Sequence, residues 1–217
     1  MKFGVIRFPG TCDDVDAQLA AQRVGDAELL WHRDRDLKGV DAVVVPGGFS
    51  YGDYLRTGAI ARFAPVMEEV IEFAHEGGIV FGICNGFQIL CEAGLLPGAL
   101  LVNDHLKFVF RQVTLDVVTH DTPFTRNSPA QLSIPVKHTT GRYYSATPVQ
   151  AVLKYATGQN PNGSQDDIAG VVNEHGNVFG LMPHPEHAVD PLTGSTDGLT
   201  LFDSIRATVE SRAASAA

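Results

Sequence analysis

The chain has 217 residues, is 44% hydrophobic and 19% charged, and carries a net charge of −9 with three cysteines. That composition excludes a disordered chain, and the length suits one large domain better than two. With no clustered Lys/Arg run the acidic balance excludes a nucleic-acid ligand, and no apolar stretch reaches the roughly 18 residues of a membrane span.

Lys2–Phe8 is a short apolar run stopped by Pro9-Gly10 and predicts a buried strand. Thr11, Asp13 and Asp14 offer helix N-caps, and Val15, Leu19 and Val24 predict one apolar helical face ending at Gly25. Ala27–Trp31 and Asp41–Pro46 read as further strands, the second running into Gly47-Gly48. Pro65–Glu76 predicts the clearest helix, because Met67, Val70, Ile71 and Ala74 recur at helical spacing before Gly77-Gly78. Ile79–Ile83 is wholly apolar and predicts a strand, followed at once by a helix over Gly86–Ala93. Apolar strands alternating with helices indicate a parallel sheet covered on both faces.

The second half changes character. Phe108–Val118, Ser133–Val136 and Val149–Ala156 read as strands joined by turns, and Ile168–Val172 with Val178–Met182 predict a hairpin. A last helix around Leu199–Val209 precedes a small-residue tail expected to fray over about 211–217. With no repeat and no low-complexity linker, the expectation is a single domain over 1–217. Its class is α/β: a mostly parallel central sheet flanked by helices, with an antiparallel portion in the C-terminal half.

The strongest chemical signal is Gly82-Ile83-Cys84-Asn85-Gly86, placed between an apolar strand and a helix. It has the layout of a nucleophile elbow, Gly-x-Ser-x-Gly, with sulfur in place of oxygen. Composition alone would produce Gly-x-Cys-x-Gly roughly 0.03 times per chain of this length. A lone cysteine is more often a small buried hydrophobe, and Cys91, on the same helix, fits that role. Cys12 sits in a loop without an evident partner. Three cysteines, with no Cys-x-x-Cys pair, indicate a reduced chain rather than a disulfide framework. Arg7 and Pro9 interrupt any signal-peptide core, so a cytoplasmic location is expected.

A cysteine nucleophile needs a base, and the base an orienting group. Among eight histidines, His184 stands out in Met182-Pro183-His184-Pro185-Glu186. In an extended segment residues i and i+2 share a side, so Glu186 can fix the imidazole tautomer while the other ring nitrogen faces Cys84. His184, Glu186 and His187 invite a metal reading, but neither His-Glu-x-x-His nor the deaminase pattern is completed, so no metal is expected. Gly47-Gly48-Phe49-Ser50-Tyr51-Gly52 ends a strand and can aim backbone N–H groups at an anion, which makes it the second donor of an oxyanion hole. No Gly-x-x-x-x-Gly-Lys-[Ser/Thr] occurs, so the chain shows no ATP-binding P-loop. A related cysteine hydrolase and a subunit with a relict site are the competing readings.

Gly82-Ile83-Cys84-Asn85-Gly86-Phe87-Gln88 together with Pro183-His184-Pro185-Glu186 resembles the class I (triad) glutamine amidotransferases. Pro46–Arg56 and Asp167–Asn173 narrow the resemblance to members serving de novo purine synthesis, and it covers about residues 1–206. It implies a flavodoxin-like fold and a chain that hydrolyses glutamine through Cys84, His184 and Glu186. It further implies an oxyanion hole from the N–H groups of Gly48 and Asn85, with Gln88 helping to hold glutamine. The ammonia would pass to a separate large synthetase subunit that aminates formylglycinamide ribonucleotide. ATP and magnesium are expected on that partner and no cofactor on this chain, with a small third subunit as a bridge. Three departures from the family pattern stand out: a shortened loop at Pro9–Asp13, His187 for an arginine, and Thr139-Thr140 for Gly-Glu. The last two are expected to face the synthetase and to leave the triad untouched.

Overall fold

The computed structural model describes residues 1–216. Its first half comprises β1 (Lys2–Arg7), α1 (Asp14–Gln22), β2 (Asp26–Trp31), β3 (Ala42–Val45), α2 (Pro65–His75), β4 (Ile79–Ile83) and α3 (Asn85–Glu92). The second half adds β5 (Ala99–Leu101), β6 (Val109–Val117), β7 (Gln131–His138), β8 (Arg142–Tyr144), β9 (Gln150–Tyr155), β10 (Ile168–Val172), β11 (Val178–Leu181) and α4 (Leu199–Ala216). Nine strands form one sheet in the order β2-β1-β3-β4-β11-β10-β9-β6-β7, while β5 and β8 pair separately.

β2, β1, β3, β4 and β11 run parallel; from β11 onward each neighbour is antiparallel. The central parallel strands β3, β4 and β11 are apolar and buried at every position because both faces are covered, while β2 at the edge carries Asp26 and Glu28 and is only partly buried. The order 2-1-3-4 is that of a flavodoxin-like doubly wound sheet, whose ligands gather at the strands' carboxyl ends.

Register explains how the sheet takes helices on both faces. Gly82 pairs with Gly180, and Phe81 with Phe179. Adjacent residues point to opposite faces, so the glycines form a hollow on one side and the phenylalanines a ridge on the other. Into the hollow comes α3: a Cβ on Gly82 would meet Leu90 Cδ1 at 2.5 Å, and one on Gly180 would meet Phe87 at 2.2 Å. Against the ridge comes α4, whose Phe202 sits 5.6 Å from Phe81 and 6.2 Å from Phe3, ring centre to ring centre. Each such buried phenylalanine contributes about 1.5–3 kcal/mol of transfer free energy.

Several expectations need correction. Helix α1 buries Asp14, Ala17, Ala20 and Ala21, while Val15 and Leu19 are exposed. The alanines let the helix lie close to β1 and β2, and Asp14 enters that face because it pairs with Arg7. The three-residue strands β5 and β8 are too short to show a period. Helix α4 continues to Ala216 instead of fraying from about 211, since Ala213 and Ala214 are strong helix formers and need no packing to continue it; residue 217 lies outside the described residues.

Candidate active site

Three adjacent strands deliver the central groups to one edge of the sheet. Gly47 and Gly48 follow β3, Cys84 follows β4, and His184 follows β11. Cys84 occupies a tight strand-to-helix turn at φ 51° and ψ −105°, a conformation rare for a residue with a side chain. Gly86 makes the turn possible. A Cβ on it would stand 1.8 Å from the Val45 carbonyl oxygen, so only glycine lets α3 begin this close to β3.

The imidazole of His184 is buried, and its Nδ1 lies 2.5 Å from Glu186 Oε1. The two converge through a turn, not through extended chain: Pro185–His187 form a short 3₁₀ segment. His184 Nε2 is buried with no hydrogen-bond partner among the described residues, and His184 and Cys84 line the same cavity. Burial by itself depresses the imidazolium, but the charges of Glu186 and Cys84 outweigh it and hold His184 well above the ordinary histidine range.

The antiparallel half of the sheet curls back to close the site. The Pro135 carbonyl on edge strand β7 accepts the His184 N–H at 2.8 Å, and Cys84 Sγ lies 4.0 Å from the Lys137 carbonyl. Lys137 Nζ reaches Asp13 Oδ1 at 2.5 Å. The result is a cavity of about 150 Å³ lined by Cys84, Gly48, Gln88, Lys137, Thr140 and His184 among others. That is small beside the roughly 300–1,000 Å³ of drug-sized sites and suits a single small metabolite.

Gly48 has φ 145°, and a Cβ there would collide with the Cys12 nitrogen at 2.5 Å. Neither the Gly48 nor the Asn85 N–H donates to another group of the described chain, so both remain available beside Cys84. The Asn85 side chain binds the glycine-rich loop to the elbow: Oδ1 accepts from the Ser50 N–H at 3.0 Å, and Nδ2 donates to Asp53 at 3.3 Å and to Gln88 at 2.9 Å. Burial pushes the Asp53 carboxyl up. Gln88 donates in turn to the Thr140 carbonyl at 2.5 Å, so its amide ties the pocket walls together.

Two expectations fail here. His187 does not stand apart from the triad: its Nε2 is 3.5 Å from Glu186 Oε1 and 3.3 Å from Asp13 Oδ1. Thr139 and Thr140 line the same cavity as Cys84 and His184. Asp13 was legible only as a helix cap, but its carboxylate makes no capping bond and is spent on the cluster. Its signal was position, an acid just past the carboxyl end of a parallel strand. Lys137 had a weaker one, a lone charge near the end of an apolar strand. Cys91 is partly buried near the Pro97 carbonyl, and burial pushes its thiol up. Cys12 is exposed at the cavity rim.

Asp13, His184, Glu186 and His187 bring ligand-type atoms within 4.8 Å of one another. Lys137 already neutralises Asp13, and the bond between His184 and Glu186 uses the atoms a cation would need. The cluster is arranged to hold and move a proton.

The family described as the CobB/CobQ-like glutamine amidotransferase domain matches residues 1–199. The chain is 58% identical to phosphoribosylformylglycinamidine synthase subunit PurQ of Mycolicibacterium paratuberculosis, over 94% of its own length and 96% of that protein. It is 51% identical to the subunit of the same name from Salinibacter ruber, over 94% and 95%. Among solved structures, a chain in the structure of PurLQS from Thermotoga maritima matches with a TM-score of 0.92 at 44% identity, covering 96% of this chain and 98% of that one.

Proposed function

Because the chain belongs to the CobB/CobQ-like glutamine amidotransferase family, we propose that it is the glutamine-hydrolysing subunit of a phosphoribosylformylglycinamidine synthase. The relatives' common name and their nearly full-length match support that assignment. The observation that carries the chemistry is the convergence of Cys84 with the His184–Glu186 pair, 2.5 Å apart, on one small cavity.

In this reading Cys84 Sγ attacks the side-chain amide carbon of glutamine, and the C–N bond breaks to leave a γ-glutamyl thioester. His184 gives its Nε2 proton to the departing ammonia. It then takes a proton from the water that attacks the thioester, releasing glutamate and restoring the thiol. Glu186 holds Nδ1–H throughout, so the ring keeps one tautomer and one orientation. The N–H groups of Gly48 and Asn85 stabilise the tetrahedral oxyanion, which forms beside the positive end of α3. Gln88 shapes the substrate side of the cavity; Gly47, expected there too, does not line it and instead leaves room for Asp13 and His184 to approach.

The ammonia goes to a synthetase partner that spends ATP with magnesium to aminate formylglycinamide ribonucleotide in de novo purine synthesis. A small subunit bridges the two, and this chain carries no cofactor of its own. The match to a chain of PurLQS supports the partnership. The reading places the chain in the cytoplasm; among the described residues no helix is long and apolar enough to cross a membrane.

The test is Cys84→Ala in the complex with the synthetase. Synthesis from glutamine should vanish while synthesis from free ammonia continues. Surviving glutamine use would remove Cys84 from the nucleophile's role.

A further inference from the structure

Asp13 lies in the loop between β1 and α1 with its side chain buried. Its Oδ2 stands 3.6 Å from His184 Nδ1, the nitrogen that Glu186 already holds. Its Oδ1 receives Lys137 Nζ at 2.5 Å and His187 Nε2 at 3.3 Å. The approach depends on Gly47: a Cβ there would stand 2.5 Å from Asp13 Oδ2 and 2.8 Å from His184 Cε1. A distance of 3.6 Å is too long for a hydrogen bond, yet well inside the range at which a charge acts on an ionisable ring.

We propose that Asp13 is a second positioning carboxylate for His184, kept ionised beside Nδ1 by Lys137 and His187, with Lys137 limiting how firmly it holds the imidazolium. The inference rests on the glutaminase reading and deepens it by naming what tunes the acid. Two uncompensated carboxylates on one imidazolium would hold its charge too tightly for proton delivery to ammonia, because a general acid works best near the operating pH. Lys137, on the far oxygen of Asp13, takes up part of that field. The groups facing His184 are Glu186 and His187 from its own segment, Asp13 from the β1–α1 loop, Cys84 from the elbow, and Lys137 and His138 from β7.

The protonation states agree. Burial pushes the Asp13 carboxyl up, but His187, His184 and Lys137 outweigh it and hold the carboxyl well below the usual range. Burial depresses the Lys137 ammonium, and Asp13 more than restores it.

The experiment uses the complex with its synthetase and follows kcat/KM for glutamine against pH, with the ammonia-dependent rate as the control for the partner. The alkaline limb reports loss of the imidazolium proton; the amine of free glutamine titrates identically for every variant. Asp13→Asn should move that limb down by about one pH unit, and Lys137→Met should move it up by about one unit. Lys137→Arg should return it to the wild-type position. A merely structural role would lower rates without shifting the limb in opposite directions. Unmoved limbs, shifts of the same sign, or Lys137→Arg behaving like Lys137→Met would overturn the proposal. If Asp13→Asn fails to assemble, the Met and Arg variants of Lys137 decide the question. Failure of the glutaminase reading would show differently, as a wild-type complex that releases no glutamate.

Discussion

Nδ1 of His184 and Oε1 of Glu186 stand 2.5 Å apart with side chains only 1% and 0% exposed. Water does not reach the pair, so the carboxylate acts on the ring through a low dielectric and fixes which nitrogen can serve Cys84. Replacing Glu186 by Gln keeps the shape and removes the charge. Glutamine-dependent turnover should fall by about 10²–10⁴-fold, the scale of positioned acid–base catalysis, while ammonia-dependent turnover is unaltered. Steady-state rates with the two nitrogen donors check this.

Gly86 carries the packing of the elbow. Gly86→Ala forces a methyl group into the 1.8 Å gap to the Val45 carbonyl, so α3 must lift from β3. The cost should be about 3 kcal/mol, which for a chain of this size lowers Tm by roughly 6–12 °C. Thermal unfolding measures that cost, and the alkylation rate of Cys84 should fall with it.

Gln88 links two walls of the cavity through its amide, bonded to Asn85 and to the Thr140 carbonyl. Gln88→Met keeps the volume and removes both bonds. KM for glutamine should rise about tenfold, as expected for the loss of one or two neutral hydrogen bonds, with kcat little changed. An equal fall in kcat would instead place Gln88 in the chemical step.

His138 titrates in a different sense from His184. Its Nδ1 donates to Asn103 Oδ1 at 3.0 Å, its Nε2 faces Asn162 Nδ2 at 3.4 Å, and burial pushes it down to about 3. The unfolded chain therefore binds a proton here that the folded chain refuses. The His138 contribution to stability is complete above pH 6.5 and declines as pH falls towards 3, by up to about 1.4 kcal/mol per unit. His184 is raised when folded, so its contribution is already whole below pH 6.5 and stays flat in that window. His138→Asn should flatten the acid side of the stability curve, measured by urea unfolding at pH 7, 6 and 5.

Much of this molecule can be read locally. The Gly82–Gly86 elbow needs only a strand, a sharp turn and a helix, and all three signals lie within a dozen residues. The strands Ile79–Ile83 and Ile168–Val172 coincide with their expected spans, because an apolar run between turn residues has little choice. The face of α1 was misread for an equally physical reason. Alanine carries a weak hydrophobic signal, yet it is the residue that lets a helix lie close to a sheet; Val15 and Leu19 carry the stronger signal and face solvent.

The candidate nucleophile Cys84 and candidate base His184 thus stand out from covalent neighbours and short-range backbone geometry alone. Their surroundings do not. Asp13 and His187 are 174 positions apart, and Lys137 is 124 from Asp13. They meet because β1 and β11 run parallel and end at the same sheet edge, while β7 curls back over it. No local pattern encodes that closure. It arises from strand order and sheet curvature, and it brings the Asp13 carboxylate and the Lys137 ammonium together beside His184.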